Sequence, residues 1–333
     1  MWLSSSVCVR GSVGEEGQRM TLTEAYAEDA STVEKVNALK ARLLDKSQPL
    51  AKRMRVVCSL RAVKGQGTVE ALASCLDDES ALLRHEVAYA LGQKEEASAV
   101  PVLIKALRGD EDSMVRHEAA EALGAIRADE AERVLEEFEN CECEPLAHTC
   151  QLALDRIRWA RKKEAAGEVE VKEGSERRYV SIDPAPPADP NLSVDQHVAI
   201  LMDPTVRLFE RYGSLFALRD KKSEEAVLGL SKVLLEDASS AVLRHEVAFV
   251  LGQCASKAAL PSLTASLENL EENQMVRHEA AEAIGAISDD AATPLLQKFA
   301  KDPNRVVAES CEIALDISDY NNDDTQLHYA PLE

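Results

Sequence analysis

Along most of this chain apolar residues recur every three or four positions, in runs of roughly a dozen residues separated by short polar turns. Ala97 to Arg108 is one such run, with Val100, Leu103, Ile104 and Leu107 at helical spacing. The acidic turn Gly109-Asp110-Glu111-Asp112-Ser113 follows and supplies N-cap candidates. Met114 to Ile126 then sets Val115, Ala119, Ala122, Leu123 and Ile126 on one face. The pattern predicts two helices joined by a tight turn, each burying one side.

This unit repeats, and its second helix carries a marker. Leu83-Arg84-His85-Glu86-Val87-Ala88 is followed by Val115-Arg116-His117-Glu118-Ala119-Ala120. The same pair returns as Leu243-Arg244-His245-Glu246-Val247-Ala248 and Val276-Arg277-His278-Glu279-Ala280-Ala281. Within each pair the histidines are 32 or 33 residues apart, and the pairs are separated by 160 or 161. The first and third copies continue into Leu-Gly-Gln (Gly92-Gln93, Gly252-Gln253), the second and fourth into Gly-Ala-Ile (Gly124, Gly285). Those glycines suit a C-cap or a close helix contact.

Degenerate copies flank each pair. Arg53-Met54-Arg55 and Leu146-Ala147-His148-Thr149 do so in the first half, Arg211-Tyr212-Gly213 and Val307-Ala308-Glu309 in the second. The expected fold is therefore all-α: an α-solenoid of eight helical-hairpin repeats in two duplicated halves of four. The halves are expected at 32–160 and 192–318. Residues 161–191 form a charged, then proline-rich linker crossing the surface. Residues 1–31 form a disordered extension, and 319–333 an acidic, mobile tail.

Composition agrees with helices packed through small aliphatic side chains, since aromatics are only 4%. A net charge of -21 argues against a nucleic-acid binder and suits a basic partner. Met1 to Met20 holds neither a signal peptide nor a membrane-spanning run. Eight scattered cysteines suit a reduced, cytoplasmic interior better than a disulfide framework.

Four of the seven histidines sit in the marker, each followed by a carboxylate. Imidazole and carboxylate donors in matched frames fit a metal-ligand set. The His-Glu pairs fall near the start of their helices, where the dipole favours neutral imidazole and ionised carboxylate, the forms that ligate. Two histidines with one carboxylate make the facial set associated with non-haem iron, and two sets brought face to face would make a dinuclear centre. Which of the four glutamates ligate stays open, because adjacent helical residues point about 100° apart. The arginines Arg84, Arg116, Arg244 and Arg277 are expected to be structural, pairing with acids of adjacent turns.

These motifs resemble deoxyhypusine hydroxylase from about Thr32 to Ser318, including the linker segment Tyr179-Val180-Ser181-Ile182-Asp183-Pro184-Ala185-Pro186-Pro187. The resemblance implies a HEAT-repeat di-iron monooxygenase holding two Fe2+ per chain. Its substrate is a deoxyhypusine side chain on the basic loop of a eukaryotic translation factor, and O2 and a reductant convert it to hypusine. It further implies that His85, His117 and Glu118 hold one iron and His245, His278 and Glu279 the other. Glu86 and Glu246 then fall to substrate holding in the catalytic site, or to weaker ligation.

Two other readings use the same residues. A non-catalytic repeat scaffold would bind proteins and no metal, and a zinc or manganese hydrolase would need no oxygen. Several further features are expected to be bystanders. Cys141-Glu142-Cys143 with His148 and Cys150 lacks a zinc-finger spacing. His197 falls on an outer helix and His328 in the tail. Gly65-Gln66-Gly67 reads as a loop and lacks the ending of a phosphate loop.

Overall fold

The computed structural model describes residues 30–63, 66–167 and 181–322. Among them are sixteen α-helices and no strand. In the first half α1 (Ala30–Leu44) packs on α2 (Leu50–Ala62), and α3 (Gln66–Ala73) on α4 (Ala81–Gln93). There α5 (Val100–Gly109) packs on α6 (Ser113–Ile126), and α7 (Asp129–Phe138) on α8 (Glu144–Ala165). The second half pairs α9 (Val194–Met202) with α10 (Leu208–Lys221), and α11 (Glu224–Glu236) with α12 (Ala241–Cys254). It ends with α13 (Leu260–Glu268) on α14 (Gln274–Ile287), and α15 (Thr293–Phe299) on α16 (Arg305–Asn322).

The two helices of a pair have different jobs, and their residues show it. The outer helix α5 buries one stripe, Val100, Leu103, Ala106 and Leu107. The inner helix α4 is buried continuously from Leu82 to Gly92, as expected of a helix covered on all sides. Inner helices stack in the order α2, α4, α6, α8 and again α10, α12, α14, α16. The stacks then meet at both ends: α8 lies against α10 and α12, and α16 against α2 and α4. The solenoid is thus folded back on itself into a closed ring of inner helices.

Side-chain oxygens cap the four motif helices. Ser80, Asp112, Ser240 and Asn273 each accept an N–H from the first turn of α4, α6, α12 and α14. The four motif glycines lie within these helices and serve close approach rather than capping. A Cβ on Gly124 would stand 2.7 Å from Ala153 Cβ, and one on Gly285 would stand 2.7 Å from Ala314 Cα. The C-caps are instead residues such as Arg127 and Ser288, both left-handed.

The motif arginines fasten each repeat to the next. Arg84 pairs with Asp110, Arg244 with Glu272 and Arg277 with Asp302, as expected. Arg277 also donates to the Leu267 carbonyl at the end of its outer helix. Arg116 departs from this: it donates to the Leu107 carbonyl and lies over the Phe138 ring.

Two expectations are corrected. The linker, where it is described, crosses the surface only in its later part: Pro187, Asp189, Pro190 and Asn191 are exposed, but the part before them is drawn inward. Ser181, Pro184 and Ala185 are buried, because groups of both halves take up its polar atoms. Gln93 accepts the Ile182 N–H, Gln253 donates to Ser181 Oγ, and Arg219 donates to both oxygens of Asp183. Gln66 and Gly67 open helix α3 instead of lying in a loop, while Gly65 is outside the described residues. The extension before residue 30, Tyr179 and Val180, the tail beyond Asn322 and His328 with it also lie outside them. Helix α8 carries on to Ala165 and α16 to Asn322, a few residues past the edges expected for the halves.

Candidate metal centre

Each motif histidine is the fifth residue of its inner helix: His85 of α4, His117 of α6, His245 of α12, His278 of α14. This corrects the expected help from the helix dipole, which fades within the first turn. The ring does what the dipole does not. It turns the same face of four inner helices, two from each half, toward one point.

The four imidazoles converge there. Ring centroids are 5.1 Å apart for His85 and His278, 5.3 Å for His117 and His245, and 5.4 Å for His245 and His278. His85 stacks on His117 at 6.5 Å and stands 6.2 Å from His245. Glu118 Oε2 is 3.1 Å from His85 Nε2 and 3.8 Å from His117 Nε2. In the other half Glu279 Oε2 is 3.5 Å from His245 Nε2 and 3.9 Å from His278 Nε2. Glu86 Oε1 faces the other nitrogen of His85 at 3.4 Å. All four histidines and Glu86, Glu118, Glu246 and Glu279 are at most 4% exposed, so water cannot solvate them freely.

Ligand atoms of His85, His117 and Glu118 all lie within 4.8 Å of one another, and so do those of His85, His245 and His278. His85 thus belongs to both groups. The second grouping differs from the expected His245, His278 and Glu279, although Glu279 faces both of those histidines.

Burial and mutual repulsion set the protonation of this cluster. Burial presses His117 down to about 4, with the His85 and His278 charges adding to it. It holds His245 and His278 below the ordinary imidazole value as well. For His85 burial acts the same way, but the Glu118 and Glu86 carboxylates outweigh it and raise the ring to about 10. Burial lifts Glu246 to about 8, aided by the charges of Asp183 and Glu118. Glu279 is raised by burial and by Glu282. Burial thus works against a charge on His117, His245 and His278, while the carboxylates beside His85 favour one there.

A bound cation fits these residues. The Nε2 atoms of all four histidines and Glu279 Oε2 are buried with no aligned hydrogen bond, which is costly for polar groups. Imidazole lone pairs beside carboxylates are the donor set of a transition metal, and a cation among them would offset the buried carboxylate charge.

Sequence reading missed the outer layer of the site. His117 Nδ1 is 2.6 Å from Thr149 Oγ1, and His278 Nδ1 is 3.5 Å from Ser310 Oγ and 3.6 Å from Glu282 Oε1. Glu282 and its counterpart Glu121 recur four residues after their histidines, a signal that was present in the motif. The bystanders stay apart from the cluster. His148 reaches Ser240 across the halves at 3.1 Å, and Cys141 Sγ contacts the Cys143 carbonyl. His197 is buried in α9.

Comparison with known proteins places the chain among related sequences. A family model described as HEAT repeats matches residues 69–142 and 227–316. A deoxyhypusine hydroxylase of Dictyostelium discoideum is 46% identical over 301 residues, covering 90% of this chain and 93% of the relative. That of Homo sapiens is 44% identical over 293 residues, 87% of this chain and 93% of the relative. The solved structure of human deoxyhypusine hydroxylase in complex with glycerol superposes with a TM-score of 0.81, covering 87% of this chain and 98% of that one.

Proposed function

The chain belongs to the deoxyhypusine hydroxylase family, and from this premise we propose that its buried imidazole–carboxylate cluster is the di-iron centre of that hydroxylation. The observation that carries the reading is the convergence of four histidines from both halves beside Glu118 and Glu279. His85, His117 and Glu118 hold one iron, and His245, His278 and Glu279 the other. His85 lies within reach of both groups, which suits a closely spaced pair of ions. The substrate is a deoxyhypusine side chain, a lysine extended by an aminobutyl group, on the basic loop of a eukaryotic translation factor in the cytoplasm. No helix among the described residues is long and apolar enough to cross a membrane, and no disulfide joins the described cysteines.

Iron, when bound, supplies the redox activation of O2 for which no side chain suffices. One oxygen atom enters a C–H bond of the aminobutyl arm as C–OH. The other leaves as water, with two electrons from a reductant and two protons. The protein's own residues bind and orient the arm. Its two amines are cationic, and burying either without a partner is unfavourable. Glu86 and Glu246, carboxylates not needed for the six-residue ligand set, pair with them. The net charge of -21 draws in a basic loop.

The test is single-turnover reaction of the iron-loaded protein with a deoxyhypusine-bearing substrate under 18O2. One labelled oxygen in the product supports the proposal. Turnover that needs neither oxygen nor reductant, and leaves the C–H bond intact, would move the protein to a hydrolase. No product, from protein that takes up no iron on anaerobic loading, would leave the scaffold reading.

A further inference from the structure

Resting on the metal-centre reading, we propose that Thr149 is the positioning residue of His117, fixing the ring with its proton on Nδ1 and its Nε2 lone pair aimed into the cluster. Thr149 stands in the repeat that lacks His-Glu, 32 residues beyond His117, in the frame position where the two preceding repeats carry glutamate. Its hydroxyl has one hydrogen. That hydrogen is directed at the Pro145 carbonyl, 2.8 Å away, one turn back along α8. With it committed, Thr149 Oγ1 meets His117 Nδ1 at 2.6 Å as an acceptor, and the imidazole is the donor. A neutral ring with hydrogen on Nδ1 presents its other nitrogen unprotonated, and His117 Nε2 is buried with no hydrogen-bond partner.

The other half offers a looser counterpart, shared with a carboxylate, since Glu282 Oε1 is 3.6 Å from His278 Nδ1. Ser310 lies 32 residues beyond His278 and 3.5 Å from its Nδ1. The terminal repeats of each half are therefore more than covers for the ends of a stack. Each reaches back with a hydroxyl to the last histidine before it. Partners of this kind, on the far nitrogen of a ligating histidine, set ring orientation and tautomer.

The experiment uses the full chain, freed of metal and handled without oxygen, with ferrous iron as the probe and a competing chromogenic chelator. Thr149→Val keeps the shape of the side chain and removes the acceptor. It should weaken binding of the more affected iron by roughly 10- to 100-fold, and Thr149→Ser should restore the wild-type value. Wild-type affinity in Thr149→Val would overturn the proposal. A second readout needs neither metal nor variant. In 15N-histidine NMR of the metal-free wild-type protein, His117 should carry its proton on Nδ1. A proton on Nε2 would mean that the hydroxyl donates to the ring and would overturn the assignment. Failure of the wild-type protein to bind iron at all would overturn the metal reading instead, and the NMR result would still decide the Thr149 pairing.

Discussion

His85 and Glu86 are neighbours in sequence, yet the structure gives them different surroundings, and their substitutions should differ in kind. His85 touches Glu118 and three other imidazoles, whereas Glu86 faces His85 from the side of Nδ1. Replacing His278 by alanine should lower bound iron and kcat together, read by metal analysis and turnover on the same sample. Replacing Glu86 by alanine should mainly raise KM while iron content holds. An iron-free Glu86→Ala protein that still binds substrate would reverse the assigned roles. The histidines were legible in the sequence because one tripeptide stands four times in register. Thr149 and Ser310 were not, since they sit where the motif breaks, and their role depends on a contact to the preceding repeat. The grouping of His85 with His245 and His278 was not legible either, because spacing within a half says nothing about how the halves face.

At the scale of helices, two features hold neighbouring repeats at fixed distance. Gly124 lets α6 approach α8 so closely that an added Cβ would meet Ala153 Cα at 2.9 Å. Gly124→Ala should therefore destabilise by about 1–3 kcal/mol through overpacking. Gly109, with nothing within 4 Å of its added Cβ, should gain roughly 0.5–1 kcal/mol on the same change. Denaturant unfolding of the two variants reads the contrast. The second feature is the buried Arg277–Asp302 pair at 2.6 Å, with side chains 5% and 1% exposed. Removing Arg277 strands a carboxylate, and loss of about 3–5 kcal/mol is expected at neutral pH.

Burial alone would raise the Asp302 carboxyl, but hydrogen bonds from Arg277 and the Asn304 backbone hold it below its ordinary value. A carboxyl whose folded value is depressed stabilises the fold above its unfolded value and loses that contribution as pH falls through the folded one. The gap between wild type and Arg277→Ala should thus be full at neutral pH and shrink in acid below the ordinary carboxylate range. A gap independent of pH would show that packing of Arg277, and not the ion pair, carries the effect. Helix positions and the repeat period were legible from apolar spacing. The inward turn of the linker at Ser181 to Ala185 was not, since Asp183-Pro184-Ala185-Pro186-Pro187 carries no periodicity. Its placement comes from Gln93, Gln253 and Arg219, far away in sequence.

Over the whole molecule, the ring closes through a few polar contacts arranged alike at its two seams. The N-cap Ser80 of α4 donates to Glu309 on α16, and the N-cap Ser240 of α12 meets His148 on α8. Arg55 adds a pair with Asp316 and lies over the Tyr320 ring. The Arg55–Asp316 side chains are 26% and 30% exposed, so Arg55→Ala should change stability by no more than ~1 kcal/mol. The metal should be the stronger clasp, because its ligands come from both halves. Removing iron should lower Tm, in proportion to how tightly the folded state binds it. An unchanged Tm would argue against ions held between the halves. The duplication was plain in the sequence, but ring closure was not, because its contacts join residues up to 261 positions apart with no shared motif.

On this reading the four histidines and their carboxylates hold a pair of iron ions. Elemental mass spectrometry of freshly purified full-length protein, kept anaerobic, tests it most directly. Two irons per chain are expected in the wild type, with their loss in His278→Ala. No metal after anaerobic iron loading, or a full iron complement in His278→Ala, would contradict it.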